Sequence, residues 1–522
     1  MFSFQCNGFI FGYGRPIHLG KAPCFGGSCD FTGSFVYWWI NMERSIPLIV
    51  FIWLMTAIFL PAQSLRDSEL LARDCMEAGS ASILVIDLDS GKEIYAFDPQ
   101  RALPTASIQK LLTTTAVLEK RGADFRYQTI LGYTGKIEGE ILYGDLVVIG
   151  SGDPTLGSDY FDESWSLHDI ADSLESHLGK LGVRSISGGI VIDVSVSPGQ
   201  HVPGGWPWAD LGNYYGAGHW GLNIHDNEYR LFFKQNKTTG RLTSILRTLP
   251  EVAPFSITNE VRTGPPGSGD QAYIYAAPYS TEAVVRGTIP PGDGSFSIRG
   301  SITDPPVFFG RQLNLLLAEG GIEVEGDVSV VGDPLPTVQV LFPITSPSLI
   351  EIARVTNYQS VNLYAEALLK LLCDEEQPAS HFGCGLGELK DFWISRGVEE
   401  NQIFYRDGSG LSPRNTASAA SFVQVLRTVY QDSKWYDELI STLPEMGRDG
   451  TLQYMLRGYK GQGRILAKSG YIGRQRSYTG YLFTESGRHL AFCVMLDNYN
   501  CSSAQMRNRI EGFLISLLRD QR

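Results

Sequence analysis

Residues 104–122 have the sequence PTASIQKLLTTTAVLEKRG, which predicts a helix with candidate catalytic side chains. Pro104 suits a helix start and Gly122 suits a helix end. Ser107 and Lys110 stand three residues apart, and such positions share one face of a helix. A serine hydroxyl is a weak nucleophile until a base takes its proton, and a lysine can be that base if burial or a nearby cation lowers its pKa. The pair alone is weak evidence, because roughly two such spacings are expected by chance in a chain of this length.

Two further short motifs lie far downstream of this helix. The sequence SVN at residues 360–362 stands at the predicted start of another helix. There its hydroxyl could relay protons and its amide could hold a substrate. An N-cap serine followed by a surface asparagine is the ordinary alternative. The sequence KSG at residues 468–470 ends a β-like run, where a lysine and a hydroxyl can hold a carboxylate and a carbonyl. The alternative there is a lysine before a turn.

The three motifs together are far more specific than any one of them. They occur in the order S-x-x-K, S-x-N and K-[ST]-G, on a helix, a helix start and a strand, and this is the motif set of penicillin-binding proteins and serine β-lactamases. Over most of residues 66–520 the chain resembles the class C low-molecular-mass penicillin-binding proteins, which are D-alanyl-D-alanine carboxypeptidases/endopeptidases. The resemblance includes further runs: PTAS at 104–107, KLLT at 110–113, GDPTL at 152–156, WPWADL at 206–211, YYGA at 214–217, DGSGLS at 407–412 and DGTL at 449–452.

The resemblance implies catalytic roles for three side chains. Ser107 would be acylated, Lys110 would be the general base, and Ser360 would relay protons to the leaving amine. The backbone N–H of Ser107 would form an oxyanion hole with a second N–H from the strand that carries the KSG motif. Our candidate for that second donor is Tyr471.

The resemblance also implies a set of substrate-binding residues. Asn362 would hold the substrate amide, and Lys468 and Ser469 would bind its terminal carboxylate. Gly470 would let the substrate backbone come close to the strand, because it has no side chain. Ser469 stands where other members have threonine, which keeps the hydroxyl.

A side-chain pocket is implied by an aspartate with an aromatic residue five positions later. Asp210 and Tyr215 have that spacing, and a carboxylate suits the ammonium end of meso-diaminopimelate. The alternative is that Asp210 is a turn or cap residue. Pro413 and Gly473 occupy positions where the family often has an arginine and a polar residue, so the details of this pocket differ from the family pattern.

The order of predicted elements indicates one α/β (α+β) domain interrupted by an insertion. Strand and helix patterns occur in residues 65–125 and again in residues 341–522, whereas residues 126–340 consist mainly of short β-like runs with frequent Gly and Pro. We therefore expect a split catalytic domain whose antiparallel five-stranded sheet is flanked by helices, and the resemblance implies that it is a penicillin-binding transpeptidase-like domain. Residues 126–340 are expected to form one or two inserted β-rich domains.

Residues 1–64 are predicted to be a leader that contains a signal peptide. Residues 46–60 carry no charge, Arg44 precedes them, and Ala-Gln-Ser follows at 62–64. A membrane anchor is the alternative, but this apolar run is short for a span of about 20 residues. The first 41 residues do not resemble the start of a signal peptide, so Met42 is the expected true start. We therefore expect an exported, periplasmic protein.

Five cysteines follow the leader, and their odd number argues against a disulfide framework. Cys373 and Cys384 could pair across a short loop in an oxidising compartment. Cys493 lies in an apolar run and is expected to be a buried thiol. The remaining two are Cys75 and Cys501.

Composition narrows the choice of partners. The net charge of −13 and the absence of a basic block argue against a nucleic-acid partner. Cys and His have no metal-ligand spacing, so we expect neither a metal nor an organic cofactor. The resemblance implies peptidoglycan stem peptides as substrate and β-lactams as covalent inhibitors.

The sequence therefore predicts a serine-type D-Ala-D-Ala carboxypeptidase/DD-endopeptidase that works through an acyl-enzyme on Ser107. One alternative is a β-lactamase or esterase on the same scaffold. Another is a catalytically dead peptidoglycan-binding protein. The sequence does not distinguish a carboxypeptidase from an endopeptidase, because both cut after D-Ala and differ only in what leaves.

Overall fold

The central sheet joins strands from both ends of the chain. The computed structural model describes residues 69–252, 255–373, 382–432 and 434–519. Five antiparallel strands form this sheet, in the spatial order Glu93–Phe97, Ser80–Asp87, His489–Asp497, Gln475–Phe483 and Arg464–Ile472. The predicted fold class, with its antiparallel five-stranded sheet, is confirmed.

The middle strand, His489–Asp497, shows why the sheet is buried on both faces. Its side chains alternate between two faces, as in any strand. Phe492 packs into a cluster with Phe513 of the helix Ser503–Leu518. Cys493 packs into a second cluster that contains the helices on the other face. A layer of helices therefore covers each side of the sheet.

The helices of the second cluster include those that carry two of the motifs. Their bounds are Gln109–Arg121, Leu349–Tyr358, Asn362–Leu371, Phe382–Ile394 and Ala419–Asp432. Two shorter helices pack against the same clusters: Tyr436–Ser441 contributes Leu439 to the second cluster, and Arg73–Met76 contributes Cys75 to the first. A small sheet consists of Ile403–Phe404, Thr416–Ser418 and Ala102–Pro104.

Between the two parts of the central sheet the chain forms mainly β structure around a third cluster. One sheet has the order Val328–Val331, Ile190–Asp193, Leu146–Ile149, Gln128–Tyr133 and Gln339–Thr345, and another has Glu323–Val324, Ser185–Ile186, Ile141–Tyr143 and Lys136–Glu138. Smaller sheets consist of Ser244–Leu249, Glu228–Lys234 and Ser295–Ser301, of Ser256–Asn259, Glu282–Arg286 and Tyr273–Tyr275, and of Arg262–Thr263 and Thr288–Ile289. The predicted boundary after residue 340 falls inside the strand Gln339–Thr345, and the division into domains stays a prediction.

In the described residues two helices accompany these sheets, Leu167–Lys180 and Pro305–Glu319. The second of them is unexpected in a region of short β-like runs. Its signals were present: the Asp304 side chain accepts a hydrogen bond from the N–H of Val307, and prolines occupy the first helical positions. The frequent glycines and prolines around it concealed these signals.

Four of the five cysteines after the leader are paired. Cys75 bonds to Cys501 across 426 positions of sequence, and Cys373 bonds to Cys384. Cys493 is a buried free thiol, as predicted. The odd number of cysteines therefore reflects one core thiol beside two disulfides, and the expectation of no disulfide framework was wrong.

The predicted leader, residues 1–64, and the start at Met42 lie outside the described residues. Among the residues that are described, none of the helices is both long and apolar enough to cross a membrane.

Candidate active site

Ser107 lies in a short turn of 3₁₀ helix that leads directly into the first motif helix. The turn spans Ala106–Ile108, and the α-helix begins at Gln109. Pro104 does not open this helix, as the sequence suggested, but ends a short strand. The 3₁₀ turn leaves Ser107 partly exposed, while the helix buries Lys110 completely. The Lys110 Nζ lies 3.0 Å from the Ser107 Oγ, so the spacing of three residues does bring the two groups together.

Lys110 has two further partners besides Ser107. Its Nζ donates to the Oδ1 of Asn362 at 2.6 Å and to the backbone carbonyl of Ser409 at 2.7 Å. A neutral amine has two N–H donors and one lone pair. With both donors engaged by Asn362 and Ser409, the lone pair is left for the hydroxyl proton of Ser107. The arrangement is therefore that of a base already aimed at its nucleophile.

Burial makes this base available near neutral pH. It lowers the pKa of Lys110 to about 7, while the carboxylates of Asp407 and Glu366 act in the opposite direction. A lysine with a pKa close to the working pH can both accept and return a proton. A strongly shifted pKa in a group that touches a nucleophile also marks a candidate catalytic site.

Close backbone packing holds the nucleophile turn in place. Ala106 adopts the left-handed conformation, with φ of 46°. A Cβ on Gly410 would lie 1.8 Å from the Ala106 carbonyl oxygen, and a Cβ on Gly470 would lie 3.0 Å from both the Ala106 Cβ and the Thr105 carbonyl oxygen. Glycine is required at both positions, because any side chain would push the surrounding segments apart. Gly470 thus lets the third motif strand pass directly beside the turn of Ser107.

The second and third motifs also meet. The Nζ of the fully buried Lys468 donates to the Oγ of Ser360 at 3.0 Å and to the Ser469 carbonyl at 2.9 Å. Burial, together with the positive charge of Lys110, holds the pKa of Lys468 well below its usual value. The N-cap of the helix Asn362–Leu371 is Val361, so Ser360 is not the N-cap residue that the ordinary alternative required. Its hydroxyl contacts Lys468 instead.

The third motif strand, Arg464–Ile472, is the edge of the central sheet, and alternate residues point their backbone groups away from it. The Ala467 N–H bonds outside the sheet to the carbonyl of Pro444, and the Ile465 carbonyl bonds outside it to the N–H of Met446. Because this alternation has a period of two, Ser469 and Tyr471 direct their backbone groups to the same side. The backbone groups of both residues therefore lie on the side of the strand that faces away from the rest of the sheet.

Asp210 and Tyr215 form a side-chain pair next to this site. The Tyr215 hydroxyl donates to the Asp210 Oδ1 at 3.2 Å, and the Tyr215 carbonyl accepts from the Asn362 Nδ2 at 2.6 Å. Burial raises the pKa of Asp210, which is half-buried, and the hydrogen bond from Tyr215 opposes that effect. Asn362 thus links this pair to Lys110.

Sequence reasoning missed two buried carboxylates near Lys110. Asp407 belongs to the DGSGLS run, and it accepts hydrogen bonds from the N–H groups of Gly410 and Ser412 and from the Trp206 indole. Glu366 lies four residues after Asn362, on the same face of the helix. The helical spacing from Asn362 could have indicated that Glu366 faces the site. Asp407 belongs to a run shared with the family, and that membership could have indicated a role for it.

Within the described ranges, no group of three or more His, Cys, Asp and Glu side chains could hold a metal ion.

Comparison with known proteins adds a family and several relatives. The model of the D-Ala-D-Ala carboxypeptidase 3 (S13) family matches residues 66–517. A D-alanyl-D-alanine carboxypeptidase of Actinomadura sp. (strain R39) is 26% identical over 451 residues, which cover 83% of this chain and 80% of the relative. Penicillin binding protein 4 (dacB) of Haemophilus influenzae has a similar crystal structure, with a TM-score of 0.74 at 22% identity, covering 87% of this chain and 99% of that one. A second structure of that protein, complexed with a β-lactam, has a TM-score of 0.71 at 21% identity over the same shares of the two chains.

Proposed function

The chain belongs to the D-Ala-D-Ala carboxypeptidase 3 (S13) family, and from that premise we propose that it acts through an acyl-enzyme on Ser107. It is a serine-type D-alanyl-D-alanine carboxypeptidase/endopeptidase. The observation that carries the choice of nucleophile is the 3.0 Å contact between the Ser107 Oγ and the Nζ of the buried Lys110.

Acylation follows from the contacts of these two residues. Lys110 takes the hydroxyl proton as the Ser107 Oγ attacks the carbonyl carbon of the penultimate D-Ala. The N–H groups of Ser107 and Tyr471 stabilise the resulting oxyanion, which is consistent with the outward direction of the Tyr471 backbone. The C–N bond then breaks, and Ser360 delivers a proton to the departing amine and is reprotonated by the proton that Lys110 took from Ser107, so that Lys110 is neutral again. Water then attacks the ester carbonyl and gives up a proton to Lys110, which returns it to the Ser107 Oγ as the ester C–O bond breaks.

Substrate recognition is assigned to the residues around the edge strand. Lys468 and Ser469 bind the terminal carboxylate, and Asn362 binds the substrate amide. An arriving carboxylate favours the charged form of Lys468, whose pKa is lowered by burial and by the charge of Lys110. Gly470 leaves space for the substrate backbone to lie along the strand, as in β-strand addition.

The partners and location that fit this chemistry are peptidoglycan stem peptides, β-lactams as covalent inhibitors, and the periplasm after removal of a signal peptide. The family supports the first. The structure of the Haemophilus relative with a β-lactam supports the second. The disulfides Cys75–Cys501 and Cys373–Cys384 support export, because such bonds persist in oxidising compartments.

The function is tested with the purified mature protein on a stem peptide that ends in D-Ala-D-Ala and on a cross-linked pair of stem peptides. We expect a peptide product shortened by one D-Ala, or a separated pair, and the preferred product decides between carboxypeptidase and endopeptidase. With benzylpenicillin, intact mass should show one stable adduct per chain. Rapid loss of penicillin without an adduct would indicate a β-lactamase, and no product with no adduct would favour a peptidoglycan-binding protein.

The Asp210 pocket leads to a prediction about substrate choice. Asp210→Asn should raise KM for stem peptides with a side-chain ammonium by about 10- to 100-fold, because a hydrogen bond to a charged group contributes about 1.5–3 kcal/mol. The kinetics should be measured on two peptides that differ only in whether that amino group is acetylated. An equal loss on both peptides would contradict a role in binding the ammonium.

A further inference from the structure

Glu366 is a buried carboxylate for which the proposed mechanism has no use. It lies in the helix Asn362–Leu371, one turn after Asn362, and no part of it is exposed to solvent. Burying a carboxylate is costly unless hydrogen bonds and charges compensate for the lost water. The burial of this carboxylate beside the nucleophile helix therefore requires compensating contacts.

The contacts of Glu366 supply that compensation. One carboxylate oxygen accepts the N–H of Gly408 at 3.0 Å, and the other accepts the N–H of Ser409 at 2.9 Å. The carbonyl of the same Ser409 accepts a hydrogen bond from the Lys110 Nζ at 2.7 Å. On the other side, the Thr113 hydroxyl donates to the Gly408 carbonyl at 2.8 Å. Residues 408–409 are thus clamped, with one carbonyl directed at Lys110.

Three charged groups surround Glu366. Asp407 comes from the clamped loop, Lys110 from the nucleophile helix, and Lys370 from the next turn of its own helix. Burial and the carboxylate of Asp407 raise the pKa of Glu366. Both oxygens of Glu366 accept backbone N–H groups, an arrangement that favours the ionised carboxylate, and in that form its negative charge stabilises the ammonium form of Lys110 and opposes the effect of its burial.

We infer that Glu366 is a positioning residue that holds the Ser409 carbonyl against Lys110 and stabilises the protonated state of that lysine. This inference rests on the proposed function, because it assigns to Glu366 the orientation of the base that activates Ser107. A carboxylate fits the task better than an amide, since both of its oxygens accept hydrogen bonds, whereas a glutamine would turn an N–H₂ group toward one of the two N–H donors.

The test is Glu366→Gln, measured as the rate of acylation by benzylpenicillin across pH. We expect the plateau rate to fall about 10-fold or more, because small displacements of a catalytic group are costly. The acid limb of the profile, which reports Lys110 losing its proton, should move down by about one pH unit, since removal of a negative charge lowers the pKa of the lysine further. A merely structural role would leave this limb in place. Glu119→Gln, which removes an ion-paired carboxylate far along the nucleophile helix, serves as the matched control.

A second variant keeps the inference testable if Glu366→Gln does not fold. Thr113→Val loosens the same clamp without removing a charge, so acylation should slow several-fold while the acid limb stays in place. A folded Glu366→Gln protein with the rate and acid limb of the wild type would overturn the inference, as would a Thr113→Val protein with unchanged acylation. Wild-type protein that is not acylated at all would overturn the proposed function instead, and the inference with it.

Discussion

Ser107→Ala should abolish the penicillin adduct and reduce D-Ala release by about 10⁴-fold or more, the scale seen when a serine nucleophile is removed. The reason is that no other hydroxyl contacts the Lys110 Nζ among the bonds that the structure shows, so the base would lose its only nucleophile. Intact mass after exposure to benzylpenicillin and the release of D-Ala from a stem peptide are the two measurements.

Two controls test whether the loss of activity is specific to the Ser107 hydroxyl. Ser395→Ala removes an exposed hydroxyl at the end of the helix Phe382–Ile394 and should keep full activity. The Ser107→Ala protein should still bind penicillin reversibly, because Lys468 and Asn362 are unchanged. An adduct that survives in Ser107→Ala would show that a different residue is the nucleophile, and peptide mapping would locate it.

Lys110→Met should reduce acylation by about 10³-fold, within the range contributed by a general base. Methionine has a similar length and tolerates burial, but it cannot accept a proton from Ser107 or donate to Asn362 and Ser409. The rate of adduct formation should be measured together with the melting temperature, since the two unpaired oxygens will also cost stability.

The matched control for this change is Lys120→Met, which removes a lysine from the same helix at its partly exposed end. Its acylation rate should equal that of the wild type. If Lys110→Met kept a rate within about tenfold of the wild type, another group would have to be the base, and the pH profile of that variant would identify its pKa.

The predicted site residues meet in space as their spacing and order suggested. Ser107, Lys110 and Asn362 share one set of hydrogen bonds, and Lys468 reaches Ser360. The Ser107–Lys110 contact follows from their spacing on one helix, whereas the contacts between different motifs were expected only from the family resemblance. The roles of the residues stay predictions until the variants are measured.

The motif residues can be read directly from the sequence, and so can most of the helices and strands that carry them, since local structure depends on neighbours a few positions away. The complete burial of Lys110, which lowers its pKa, is visible only in the folded chain. The same is true of the Cys75–Cys501 bond and of the clamp that Glu366 places on residues 408–409. These features join segments that lie tens to hundreds of positions apart. Burial and electrostatic interaction depend on distance in space, which a single sequence does not contain.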